Sequence, residues 1–73
     1  MITLDGARLA GLRLSRGLSQ GDLADKVGCG RSTVSMWELE AACPTLPRIK
    51  KLSAIYGAAL HESGAITITQ AAP

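Results

Sequence analysis

Arg31, Ser32, Ser35 and Met36 bring a guanidinium, two hydroxyls and a thioether together within six residues. A guanidinium can donate two parallel hydrogen bonds to guanine O6 and N7, a contact worth about 1–3 kcal/mol of base discrimination. Serine hydroxyls donate or accept as a partner requires, and a methionine methyl can rest on a thymine methyl group. Arg31 stands in the first turn of its helix, where the helix dipole mildly disfavours a cation. An external acceptor explains such an arginine better than solvation alone. Ser32, Ser35 and Met36 also read as plain surface residues. The spacing of Met36 from Val34 and Trp37 places it on the exposed side of the helix.

A second group suits phosphate rather than base edges. Gln20 opens a helix, and its amide with the free N–H groups of that first turn can hold an anion, a contact that fixes docking without reading sequence. Gly30, Arg16 and Arg48 complete the expected backbone-contacting set. Arg48 lies near the start of a helix and is better placed than Lys50 and Lys51. Other chemistry finds little support. Cys29, Cys43 and His61 match no metal spacing and fall short of four ligands. His61 with a serine lacks an orienting acid and an oxyanion pocket. No catalytic residue, metal, cofactor or small-molecule substrate is expected, and the chain is not read as an enzyme.

These side chains need elements to aim them. Asp5 can cap a first helix running to about residue 16, with Leu9, Leu12 and Arg13 on one face. Gly6 and Gly11 weaken that helix and Gly17 ends it. Ser19 and Asp22 resemble a capping box that starts a second helix over about residues 20–27, buried through Leu23, Ala24 and Val27. Gly28 makes a turn, Cys29 tucks inward, and Gly30 opens a third helix over about residues 31–38 that buries Val34 and Trp37. After a connector, Thr45 caps a fourth helix, with Pro47 tolerated in its first turn. Ile49, Leu52, Ile55 and Tyr56 form its apolar face and Gly57 stops it. Residues 58–63 fit one helical turn carrying Leu60 inward. Beyond Gly64, the alternation of Ile66 and Ile68 with threonines predicts a short strand, then a loose tail over residues 70–73. Ile2 and Leu4 alternate in the same way, so the C-terminal strand could pair with them or with its copy in a second chain.

Seventy-three residues make one domain with a thin core. Hydrophobic residues reach 47%, yet Phe is absent and Trp and Tyr occur once each, so the core must be aliphatic around Trp37. A net charge of +2 is too small to coat a polyanion, and any nucleic-acid binding must come from where the charge sits. Two cysteines make no disulfide framework. No apolar run approaches the ~18 residues of a spanning helix, Arg8 and Arg13 interrupt the N-terminal region, and a cytoplasmic location without membrane contact is expected.

Leu9, Leu12 and Arg13, then Gly17 to Gln20, Leu23, Ala24, Gly28, Ser32 to Ser35, Trp37, Glu38 and Pro44 together resemble the Cro/phage-repressor (XRE-type) helix-turn-helix family. The resemblance covers about residues 6–60. It implies a mainly α fold, a compact lambda-repressor-like bundle of about five short helices, here with a short C-terminal β-strand. Residues 5–60 would form the DNA-binding core, with the third helix as recognition helix, and residues 64–73, a C-terminal strand and tail not general to the family, are a candidate dimerisation element. Arg31, Ser32 and Met36 match base-facing positions, Ser35 a position between base and backbone, and Gln20 a backbone contact. Arg13 and Glu38 match a pair that often ties helix one to helix three. The chain departs from the pattern in three places. Gly30 replaces the usual Ser or Thr cap, Glu40 stands where a glycine usually follows helix three, and the connector lacks basic residues. The expected activity is that of a transcriptional regulator, a phage- or prophage-type repressor binding a palindromic double-stranded DNA operator as a homodimer in a bacterial or phage-infected host cell. The alternative is an antitoxin or accessory module that binds a different protein through its C-terminal segment.

Overall fold

Short polar side chains start the first two helices and glycines stop several of them. The computed structural model describes residues 1–69 as a short strand β1 (Ile2–Leu4), helices α1 (Gly6–Ser15), α2 (Gln20–Val27), α3 (Arg31–Glu38), α4 (Leu46–Tyr56) and α5 (Ala59–Glu62), and a strand β2 (Ile66–Ile68). The Asp5 carboxylate accepts the Arg8 N–H at 3.1 Å. Ser19 and Asp22 close a full capping box, each side chain accepting the other residue's backbone N–H at 3.0 Å. Gly28 ends α2 in the left-handed region at φ 82°, donating its N–H to the Ala24 carbonyl at 2.8 Å. Thr45 occupies the N-cap of α4 without a side-chain bond, so the Pro47 ring and packing define that start.

The core is apolar throughout. Leu9, Leu23, Val34, Leu52, Leu60 and Ile66 are fully buried, and Trp37, at 2% exposure, is the largest block among them. Each such aliphatic side chain contributes about 1.5–3 kcal/mol through burial. Cys29 packs against this cluster as a small hydrophobe, and α2 and α3 cross within it.

The expected bundle with a C-terminal strand is present, and that strand has a partner within the chain. β2 pairs antiparallel with β1, Ile2 opposite Ile68, Thr3 opposite Thr67 and Leu4 opposite Ile66. Ala65 accepts the Asp5 N–H at 2.8 Å, joining the sheet to the start of α1. Ile66 reaches the core, which stabilises a two-stranded pair that would be marginal alone. The tail expected at residues 70–73 lies outside the described residues. Among the described residues no helix is long and apolar enough to cross a membrane.

Gly6 and Glu40 set the junction of α1 with α3. Gly6 is buried, and a Cβ there would run into the Glu38 carbonyl oxygen. Glu40 takes the left-handed conformation at φ 59° that a glycine would otherwise supply, and its carboxylate accepts the Gly6 N–H at 3.3 Å.

Candidate nucleic-acid interface

The geometry of α3 follows from its two buried anchors. Val34 and Trp37 turn into the core, which leaves Arg31 and Ser32 exposed, Ser35 half-buried and Met36 45% exposed. Capping by Ser19 and Asp22 starts α2 at Gln20, which lies against α3. Gln20, Arg31, Ser32 and Ser35 therefore line a shallow open cleft of about 230 Å³. Three of the four expected base-facing residues and one expected backbone contact thus share one surface. Met36 is exposed on the same helix but does not line the cleft.

The remaining expected backbone contacts do not line this cleft. Gly30 forms the N-cap of α3 with extended backbone, and its carbonyl accepts the Thr33 N–H at 3.1 Å. Arg48 is half-buried in the first turn of α4. Arg16, at the end of α1, holds its guanidinium 5.7 Å from the centre of the Tyr56 ring, a cation–π contact that orients an exposed side chain.

Behind the cleft lies a charged cluster. Arg13 Nε donates to Glu38 Oε2 at 2.7 Å and Nη2 to Oε1 at 3.1 Å, a bidentate pair whose side chains are 11% and 8% exposed. Arg13 Nη1 also donates to the Leu18 carbonyl at 2.9 Å, on the loop that leads into α2. These bonds with Glu38 push the Arg13 pKa further up, against the effect of burial. Gln20 Nε2 donates to Glu38 Oε1 at 3.1 Å. The sequence pattern paired Arg13 with Glu38 but gave no sign that Gln20 joins them, because the contact depends on how α2 crosses α3. Tyr56 lies close enough for Glu38 to act on it. Burial raises its hydroxyl pKa first, Glu38 raises it further, and Arg13 and Arg16 oppose the shift. Asp22 is shifted down by the hydrogen bonds it receives from Ser19.

Chemically, this surface can donate to and accept from a polar ligand over the length of one helix, with a cation at one end. Among the described residues no group of three or more His, Cys, Asp or Glu side chains is placed to hold a metal ion. Comparison with curated proteins and with solved structures finds no match. The family model for the helix-turn-helix matches residues 9–62, most of the chain and the whole of the surface described above. The chain belongs to the XRE-type helix-turn-helix family of DNA-binding transcription regulators.

Proposed function

We propose that the chain is a phage- or prophage-type repressor that binds a palindromic operator as a homodimer. One observation carries this reading: Arg31, Ser32 and Ser35 on the outward side of α3 share a cleft with Gln20 at the start of α2. In it, Arg31 reads a guanine through two hydrogen bonds, Ser32 and Ser35 adapt to neighbouring edges, and Met36 packs on a thymine methyl. Gln20, Gly30, Arg16 and Arg48 hold phosphates and set the docking angle. Repression follows from occupying the promoter. Two such helices related by a two-fold axis enter successive major grooves about 34 Å apart. Selection of bound sites from random DNA tests the reading. It predicts inverted half-sites about one helical turn apart, and recovery of unrelated or unpaired sites contradicts it.

A second reading keeps the fold and changes the partner. Ile68 on β2 is 45% exposed, and a strand edge can accept a strand from a different protein. Light scattering separates the two: a self-dimer favours the repressor, and a monomer that dimerises only with another chain favours the accessory module.

A further inference from the structure

We propose that Glu38 is a positioning residue for DNA docking, fixing the Gln20 amide before the duplex arrives. This rests on the reading of Gln20 as a backbone contact. Glu38 cannot itself meet a phosphate: it is 8% exposed and carries the same sign of charge. Its influence must pass through its neighbours. Oε1 accepts from Gln20 Nε2 and from Arg13 Nη2, both at 3.1 Å, while Oε2 accepts from Arg13 Nε at 2.7 Å. A carboxylate only accepts, so it bonds the NH2 end of the amide and never the carbonyl end. That choice sets which way the Gln20 amide is turned and leaves its carbonyl oxygen and second N–H for the cleft that it shares with Arg31, Ser32 and Ser35.

Arg13 makes the arrangement workable. Its two bonds hold the carboxylate still, and its charge cancels that of Glu38, so a phosphate brought to Gln20 does not face a bare anion behind it. Its third bond, to the Leu18 carbonyl, ties the loop before α2 to the same group. The end of α3 and the start of α2 therefore move together, and the amide is ordered in the free protein.

The test is a double-mutant cycle read by titration of a short labelled duplex of mixed sequence at low salt. Gln20→Ala is measured in the native background and in Arg13→Met/Glu38→Leu, an apolar pair of similar volume chosen to keep the fold without the carboxylate. Ordering one long side chain in advance is worth roughly three- to tenfold in affinity. The proposal expects Gln20→Ala to weaken binding by about that factor in the native background and less than about twofold in the apolar-pair background. Equal losses in both backgrounds overturn it. So does the absence of a loss in the native background. A measurement on the unaltered protein stands beside the cycle in case the apolar pair does not fold. Side-chain ¹⁵N relaxation of Gln20 should show a rigid amide before DNA is added, and an amide that is mobile until the duplex binds overturns the proposal. Should the unaltered protein ignore the duplex, DNA binding itself fails and takes the role of Glu38 with it. If binding is present and the cycle is additive, only the role of Glu38 fails.

Discussion

Arg13 and Glu38 are nearly out of water, and each is held chiefly by the other. Removing one partner strands the remaining charge, so Arg13→Ala should destabilise the protein by about 3–5 kcal/mol in chemical denaturation. A loss under about 1 kcal/mol, the scale of an exposed pair, would contradict this account. Tyr56 is the opposite case. It is 3% exposed, and its hydroxyl finds no hydrogen-bond partner among the described residues. Burial holds its pKa above the ordinary value of about 10. The folded state therefore resists losing the proton that the unfolded chain gives up. Stability is full below the ordinary pKa and falls as pH rises past it toward the folded value. Tyr56→Phe should remove that alkaline loss and change neutral-pH stability by no more than about 1 kcal/mol, or raise it. An unchanged alkaline denaturation profile would sink the assignment. The Arg13–Glu38 tie was legible because both residues stand in register with a known pattern. The Gln20 contact was not, since eighteen residues of separation carry no signal until two helices cross.

At the scale of elements, the helix starts and stops were the most legible part. Ser19 with Asp22, Gly17, Gly28, Gly57 and Gly64 each act through local backbone geometry, and the glycines hold the positive φ expected of helix ends and turns. Gly6 was legible only as a helix weakness that tertiary packing must offset, and the packing partner was not. Propensity treats it as a weakness in α1, whereas the close approach of α1 to the last turn of α3 requires it. Gly6→Ala should therefore lower stability by about 1–3 kcal/mol despite the better helix propensity of alanine. A gain in thermal midpoint would show that the two helices can separate freely. Glu40 likewise takes a glycine's conformation and adds a carboxylate contact to Gly6, which a family pattern with glycine there does not anticipate. β1 was legible only in part: Ile2 and Leu4 showed a strand's alternation, but three residues are too few to define a strand or to choose its partner. Its identity comes from pairing with Ile66 to Ile68, at the other end of the described residues.

Across the whole molecule, in-chain pairing of β1 with β2 changes how the C-terminal element could serve a dimer. Residues 65 and 66 are committed to the core, so removing the strand would damage the fold as well as any interface. Ile68 is the sharper probe, being apolar, 45% exposed and on β2. If the C-terminal element joins two subunits, Ile68→Glu should shift the protein toward monomer in light scattering while its circular dichroism stays native. An unchanged dimer would place the interface elsewhere. The net charge of +2 adds a further constraint, because it supplies little general attraction to DNA and leaves discrimination to the placement of a few side chains.

On the proposed reading Arg31 carries most of that discrimination, and site selection from random DNA with native protein and with Arg31→Ala side by side measures its share directly. The account predicts that the variant loses preference at one symmetric pair of guanine positions, at an expense of about 1–3 kcal/mol each, and keeps the rest of the site. Uniform weakening across all positions, or an unchanged preference, would contradict it.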